Sequence, residues 1–485
     1  MKRQKSKIKN QQGFALTAAV IASIGAVVIG SICLTAGKQI YQNQVLEPVN
    51  ETLTEMLSIE ADGEVEAVML TSNQFRGSGD ITIQSSGRVK STSSLKIDGV
   101  SVLSGFVVDD ENDTVTLSES LLRTLGLGYH TVTIETEGRK SSVQTIKVCG
   151  FALSNGETLL WNDTSLKMYY TRNDLRTQYG SLITRIVMPD DLTYTDSWQF
   201  EGCSNLEEVD IGGVTKIGTS SLRSNSALTS IDLTNVTEIG AWSFNNTPLK
   251  EITYSAKLKT VGREALASTK IDTWNFIGSI DEYVVSPVTT HFYGNRNKTN
   301  LYINGEQVTS VEISEATSVG CYAFQGCQTL TDVTLGEQVV SIGANAFYNC
   351  KGITSIEIPN GVKTIGMNAF DGCSSLTDVT IGSGIETISV RAFDNLQNAT
   401  IHFNCDDFTF NNTSIYANPI FLNCKNITLD FSNYTGSEAP VIGEKIKGLF
   451  YNTSIKQIVV PVDMVDTFKN ASGWSGYSKY IVAAS

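Results

Sequence analysis

The sequence beyond Phe151 repeats itself with a fixed period of about 22 residues, and this period constrains the fold more than any other feature of the chain. In the best copies a Leu-x-x-Val-x-Ile segment is followed by Ile-Gly, then by Ala-Phe and a cysteine. The glycines mark the spacing, because Gly218, Gly240 and Gly262 are evenly spaced. Gly320, Gly343 and Gly366 are also evenly spaced, with each interval longer by one position. A fixed period of this size predicts a stacked architecture.

The two apolar segments of each copy predict two short strands. One copy cannot bury its own apolar face, so neighbouring copies must stack, with paired strands about 4.8 Å apart and one continuous core. The recurring glycine is expected to adopt a backbone conformation that a side chain would disfavour. We therefore predict a mainly β chain with a β-solenoid over residues 151–437, irregular at 275–300 and 402–437, where the period is lost.

The copies at residues 330–350, 353–373 and 376–396 resemble the BspA-type leucine-rich repeat in period, Ile-Gly, Ala-Phe and the following cysteine. In the third copy Ser389 replaces the glycine and Leu396 replaces the cysteine. The resemblance implies a leucine-rich-repeat solenoid. At the level of the family, it also implies attachment to host proteins, matrix proteins or other cells.

Two further segments fit this resemblance, which spans roughly residues 182–401. Residues 301–308 look like the strand and turn that introduce a repeat block. Residues 458–474 resemble the closing segment of the family, in which a Pro-led loop, a helix and a tryptophan cover the last coil. We therefore expect residues 438–485 to hold a last repeat and a C-terminal cap.

The N-terminus predicts a membrane anchor. Residues 1–13 form a basic leader, and residues 14–37 are 24 consecutive residues without a formal charge. As a helix this segment would reach roughly 36 Å, enough to cross the hydrocarbon core of a bilayer. The basic flank places the N-terminus in the cytoplasm. The expected location is thus the cell membrane, crossed once, with the bulk of the chain extracellular; a removable secretory signal is the competing interpretation.

A stalk helix is expected to follow over residues 38–60, because apolar residues recur there every four positions. The junction of Gly13 and Phe14 resembles a type IV prepilin leader, which is cut after the glycine and would imply filament partners. However, Ala18 stands where pilins carry a glutamate. Two interpretations therefore remain open, a plain anchor with a helical stalk and a pilin-like or pseudopilin-like subunit.

Residues 64–148 alternate apolar and polar positions between Gly-, Ser- and Asp-rich breaks, which predicts a small β-sandwich. Residues 95–134 resemble the Ig-like modules of bacterial surface proteins. The resemblance implies a rigid spacer or, as the alternative, a glycan-binding module.

The composition indicates a binding protein without cofactor or metal. The chain has 36 basic against 50 acidic residues, a net charge of −14, and concentrates its basic cluster in the leader, so no nucleic-acid partner is expected. It has no Cys-x-x-Cys pair, and His130, His291 and His402 are far apart in sequence. No Gly-x-Ser-x-Gly elbow or phosphate loop is present. We do not expect an enzyme.

The cysteines fall into two groups. One group occupies the inward position after Ala-Phe or its equivalent and is expected to be buried as thiols: Cys203, Cys327, Cys350 and Cys373. The other lies outside that position and offers the better candidates for a disulfide: Cys149, Cys321, Cys405 and Cys424.

The positions between the apolar residues of the first strand should point away from the core and form a surface stripe across the coils. The acidic members of this stripe are Glu208, Asp210, Asp232, Glu251, Glu312, Asp332, Glu357 and Asp378. They would form a contact face for a basic protein, a weak calcium surface or simply a soluble face. The chain is thus interpreted as a cell-surface adhesion or protein-interaction protein, with a pilin-like filament subunit as the alternative.

Overall fold

The structure is a computed structural model, which describes residues 57–485 with the exception of 62–63, 69–71, 86–87, 91–92, 137–138, 162–178, 291–297, 406–407, 412–418 and 443–448. The basic leader, the predicted membrane helix and residues 38–56 of the predicted stalk lie outside the described residues. In the part of the chain that the structure describes, every helix falls short of the length and apolar character needed to cross a membrane.

The described chain begins with an antiparallel hairpin of Leu57–Ala61 and Glu64–Val68. The prediction of a stalk helix over 38–60 is therefore wrong for its last four residues. The reason is local, because the apolar residues of the first strand alternate with Ser58 and Glu60, and this period of two is that of a strand.

The chain divides into two compact units, and the first contains a β-sandwich. Its larger sheet has the strand order Ser72–Phe75, Arg139–Val148, Gly128–Thr136, Ser94–Ile97 and Val100–Val102. Its smaller sheet has the order Ile81–Gln84, Thr114–Leu117 and Phe106–Asp109, with a short helix at Glu119–Leu122. Leu95, Val132 and Ile146 of the larger sheet share one buried core with Ile83 and Leu117 of the smaller. The predicted sandwich is thus present as two packed layers.

The second unit contains the solenoid, whose coils contribute a first strand and, in most of them, a short second strand. A hairpin of Gly150–Leu153 and Thr158–Leu160 precedes it in the chain. The first strands are Ile183–Val187, Glu208–Asp210, Ser230–Leu233, Glu251–Ser255, Thr273–Ile277, Asn300–Ile303, Ser310–Ile313, Asp332–Leu335, Ser355–Ile358, Asp378–Ile381, Thr400–Phe403, Ile427–Asp430, Ile455–Val460 and Ile481–Ala483.

The second strands are Lys216–Ile217, Glu238–Ile239, Thr260–Val261, Ser318–Val319, Ser341–Ile342, Thr364–Ile365, Thr387–Ser389, Thr409–Asn411 and Val441–Ile442. The remaining elements are the strands Glu306–Gln307, Phe421–Leu422 and Phe450–Tyr451, the α-helices Ile280–Val284, Pro287–Thr290 and Val465–Asn470, and the 3-10 helices Val462–Met464 and Ser475–Tyr480.

Equivalent residues of neighbouring coils pair in parallel. Ile231 lies opposite Ile252, which lies opposite Trp274 on its other side. In the second strands, Ile365 pairs with Ile342 and with Ile388 in the same way. The predicted stacking of copies is therefore confirmed residue by residue.

The strand ladder also continues through the two regions predicted to be irregular. In 275–300, the strand Thr273–Ile277 pairs in parallel with the first strands before and after it, and two short helices take the place of the Ala-Phe turn. In 402–437, Thr400–Phe403 pairs with Ile427–Asp430. The first-strand ladder is thus kept in these regions, because pairing requires only backbone groups and apolar inward positions. Among the described residues, however, the second-strand ladder stops at Thr260–Val261 and starts again at Ser318–Val319.

The segment predicted to introduce a repeat block is a β-hairpin. Asn300–Ile303 and Glu306–Gln307 pair antiparallel, and the connecting Asn304 and Gly305 have φ of 51° and 83°. Two residues with positive φ form the turn that best matches the twist of a hairpin. The predicted strand and turn are confirmed.

The phenylalanines of the Ala-Phe turns form a stacked row inside the solenoid. Phe324, Phe347, Phe370 and Phe393 are fully buried. Their ring centroids are 5.2, 5.2 and 5.4 Å apart, with interplanar angles of 11°, 6° and 2°. In these coils, one buried aromatic ring from each coil therefore stacks on the ring of the next coil and fills the core between them.

The recurring glycine is explained by close packing, and the predicted conformational reason is wrong. Gly343 and Gly366 do not have positive φ; Asn345 and Asn368, two residues later, do, at 56° and 55°. A Cβ added at Gly366 would lie 2.5 Å from the backbone nitrogen of Ala344 in the preceding coil. The close approach of two backbones excludes a side chain here.

The eight cysteines that the structure describes are thiols, so the candidates for a disulfide, Cys149, Cys321, Cys405 and Cys424, form none in the described chain. Cys424 belongs instead to the inward position, because it follows Phe421 by three residues as the predicted members follow theirs. Its thiol donates to the carbonyl oxygen of Phe393 at 3.2 Å, and burial raises its pKa to about 12. Cys149 and Cys405 are buried in the core and Cys321 is half-buried.

The C-terminal segment packs a tryptophan against the last coils. Trp474 is fully buried, with its ring centroid 5.2 Å from that of Phe468 and 5.6 Å from that of Phe431. Its Nε1 donates to the carbonyl oxygen of Pro440 at 2.8 Å. These contacts tie the segment after the last long strand to the core.

Candidate functional site

The outward positions of the first strands form two columns along the solenoid. We call the strands from Glu208–Asp210 to Asn300–Ile303 the upstream face, and those from Ser310–Ile313 to Ile427–Asp430 the downstream face. The eight acidic residues predicted to form a stripe are divided equally between these two faces. The structure gives the two groups different environments.

The acidic residues of the upstream face are partly buried and engaged in contacts within the solenoid. Glu208 Oε1 lies 2.5 Å from Arg185 Nε. Asp210 accepts from the backbone nitrogen of Gly212 at 2.9 Å. Glu251 accepts from the side-chain nitrogen of Asn275 at 2.6 Å. These carboxylates thus hold turns and neighbouring coils together.

Asp232 is partly buried and bonds to the turn that follows its strand. Its Oδ1 accepts from the backbone nitrogen of Thr234 at 2.8 Å and from the Thr234 hydroxyl at 2.6 Å. Burial raises the pKa of the Asp232 carboxyl, and the nearby charge of Asp210 acts in the same direction. We interpret Asp232 as a residue that stabilises the turn after its strand.

The downstream face presents its acidic residues to solvent. Glu312, Asp332, Glu357 and Asp378 are all exposed, and they alternate with apolar residues that face the core. Asp332 lies opposite Ser310 in the ladder, and the other acidic residues likewise neighbour hydroxyl side chains. This face combines exposed carboxylates and hydroxyl groups on successive first strands.

His402 and Asp430 extend this face and were missed in the sequence, because the period was taken to be lost at residue 402. They continue the column that contains Thr380. His402 Nδ1 lies 2.8 Å from Asp430 Oδ2, and its Nε2 lies 3.9 Å from Asp378 Oδ2.

No group of three or more His, Cys, Asp or Glu residues is placed to hold a metal ion within the residues that the structure describes. The imidazole of His130 lies on the sandwich, with Nδ1 2.7 Å from Asp98 Oδ2 and Nε2 2.8 Å from the carbonyl oxygen of Gly126. His291 and the leader residues Gly13 and Phe14 lie outside the described residues.

Parallel strands from short, regularly stacked coils around a Leu, Ile and Phe core define a leucine-rich-repeat β-solenoid. Residues 177–286 and 298–428, just under half of the chain, match the BspA type leucine-rich repeat region in six copies. The repeat region of this chain therefore matches the BspA-type leucine-rich-repeat family, and the resemblance seen in the sequence is confirmed.

Solved structures with similar chains include several leucine-rich-repeat proteins. A leucine-rich repeat protein from Eubacterium ventriosum is 19% identical, with 61% of this chain and 89% of that chain covered and a TM-score of 0.31. A leucine rich cell surface protein from Faecalibacterium prausnitzii is 19% identical, with 47% and 80% covered and a TM-score of 0.26. The pneumococcal vaccine antigen PcpA is 16% identical, with 62% and 86% covered and a TM-score of 0.30. Among curated proteins, no sequence matches the chain.

Proposed function

We propose that this chain is a cell-surface protein-interaction protein, which attaches to extracellular matrix proteins through the downstream face. The observation that carries the proposal is the set of four exposed carboxylates on successive first strands, at Glu312, Asp332, Glu357 and Asp378. The match of the repeat region to the BspA-type family supports it. A repeat solenoid offers a large contact area without an active site.

The charge of this face indicates the kind of partner. Exposed carboxylates attract a basic protein surface, accelerate its association and favour it over acidic competitors. The whole chain adds to this attraction, since its net charge is −14. The partner surface should therefore carry Lys and Arg, and the interaction should weaken as salt concentration rises.

The other modules fit a display role. Residues 14–37 would be the single membrane anchor, with residues 1–13 in the cytoplasm and the chain beyond them outside the cell. The sandwich would act as a spacer of the Ig-like kind. The segment around Trp474 would close the solenoid, because an open end would expose apolar side chains and unpaired strand groups.

The proposal is tested by binding of the full-length protein to immobilised fibronectin, laminin and collagen. The test variant combines Glu312→Gln, Asp332→Asn, Glu357→Gln and Asp378→Asn. We expect the wild type to bind at least one of the three proteins, and the variant to bind it at least about tenfold more weakly, since rim charges act mainly through steering and complementarity.

The matched control combines four neutralisations of exposed acidic residues elsewhere in the second unit, at Glu306, Glu337, Glu438 and Asp463. It changes the net charge by the same amount and should leave affinity within about twofold of the wild type. Equal losses in both variants, or no binding of the wild type to any of the three proteins, would contradict the proposal.

A further inference from the structure

A polar groove of about 520 Å³ crosses several coils, away from the strand face. Its residues come from the turns that follow the buried phenylalanine of each coil. One row contains Asn349, Asn395, Asn423 and Asn452, each two residues after a phenylalanine. A second row lies two residues further along each coil. The groove shares no residue with the downstream face.

The asparagines of this row lie in turns with a left-handed backbone. Asn395 and Asn423 have φ of 61° and 57°, in the left-handed region that Asn and Gly adopt most readily. Asn452 donates to Asn423 Oδ1 at 2.6 Å, so that the side chains are ordered along the row. A carboxamide has two donors and two acceptor sites, and such a contact uses one of them on each partner. Asn395 donates to Asp371 Oδ1 at 2.6 Å, so its carboxamide is also held in place. The carboxamides of Asn395, Asn423 and Asn452 are therefore ordered hydrogen-bonding groups.

The surface charge of the groove is positive, although the chain as a whole is acidic. Lys351 and Lys425 of the second row are exposed. The nearby carboxylates are buried, since the side chains of Asp371 and Asp394 are 6% and 0% exposed. Asp394 Oδ2 lies 2.8 Å from Arg391 Nε, so its charge is paired inside the protein. A ligand in the groove meets the two ammonium groups first.

The repeat distance of the groove distinguishes between two kinds of extended ligand. The phenylalanine rings two residues before these positions are 5.2 to 6.4 Å apart between neighbouring coils, which is close to the length of one pyranose unit. An extended peptide advances about 3.3 Å per residue and would fall out of step with the rows. The half-buried ring of Tyr348 lies at one end of the groove, where it can stack on a sugar face.

We propose that this groove binds an acidic polysaccharide, with the asparagine row contacting sugar hydroxyl groups and Lys351 and Lys425 contacting uronate carboxylates. Ammonium and carboxylate groups form charge-assisted hydrogen bonds, which are roughly twice as strong as neutral ones. The site would give the solenoid a glycan ligand in addition to its protein-binding face, and it does not depend on that face.

The test measures binding of full-length protein to oligogalacturonate by calorimetry, with neutral dextran oligosaccharides and poly-glutamate as comparison ligands. The first variant is the double substitution Lys351→Ala and Lys425→Ala. A second, Asn423→Gly, keeps the left-handed backbone and removes the carboxamide. We expect the wild type to bind oligogalacturonate at least about tenfold more tightly than either comparison ligand, and each variant to lose about tenfold or more.

The matched control is Lys259→Ala with Lys270→Ala, two exposed lysines on other coils. It should bind oligogalacturonate as the wild type does. Three results would overturn the proposal: no binding of oligogalacturonate, equal loss in the control, or equal binding of poly-glutamate, which would indicate attraction of any polyanion. A preference for the peptide would assign the groove to an acidic protein segment instead.

Discussion

Phe370→Ala is expected to lower the free energy of unfolding of the solenoid by about 3–5 kcal/mol. The ring of Phe370 is fully buried and lies between those of Phe347 and Phe393, with centroid distances of 5.2 and 5.4 Å. Its removal takes away two stacked contacts and leaves a cavity, because the backbones of the neighbouring coils are fixed by strand pairing and cannot close around it.

Phe370→Leu is the matched control, since Leu222 and Leu266 occupy the equivalent buried position in other coils of this chain. Leucine refills most of the space, so the loss should be about 1–1.5 kcal/mol. Urea denaturation followed by far-ultraviolet circular dichroism measures both variants against the wild type. Equal stability of Phe370→Ala and Phe370→Leu would show that the row of rings does not fill the core as described.

Gly366→Ala is expected to lower the free energy of unfolding by about 3 kcal/mol, at the upper end of the range for overpacked sites. The added Cβ would lie 2.5 Å from the nitrogen and 2.9 Å from the Cα of Ala344. Both are backbone atoms of the preceding coil, so the clash can be relieved only if the two coils move apart along the ladder. Ser389 occupies the equivalent position one coil later, where strand pairing extends to Asn411, so the approach differs between coils.

The control for this substitution is Gly476→Ala, because a Cβ at Gly476 has no neighbouring atom within 4 Å. Its effect should stay within about 0.5 kcal/mol, as for most surface changes. The same denaturation measurement applies. If Gly366→Ala and Gly476→Ala have equal free energies of unfolding, close packing does not explain the repeated glycine.

Most of the solenoid could be predicted because its determinants are periodic in the sequence. Strand positions, the inward phenylalanine and the inward cysteine all recur at the repeat length. The role of Gly366 could not be predicted, since the approach of two coils is a distance between residues that are remote in sequence. Cys424 was misplaced because a longer connection separates it from the preceding copy, although its spacing from Phe421 was a usable signal.

Less of the candidate sites could be predicted from the sequence. Asp232 and Glu357 occupy the same position of the strand pattern, yet Thr234 and burial hold the first within the fold while the second is exposed. Neighbours from adjacent coils decide this difference. The polar groove was missed because Lys351 and Lys425 are distant in sequence and belong to no short motif. The recurring Asn or Gly two residues after the inward phenylalanine was the available signal.

We propose that the solenoid is displayed outside the cell. Protease treatment of intact cells that make the protein natively tests this most directly. Peptides released by trypsin from whole cells would be identified by mass spectrometry. We predict that peptides from residues 179–485 appear while cytoplasmic marker proteins stay intact and residues 1–13 remain with the cells. Solenoid peptides that appear only after the cells are broken open would contradict this account.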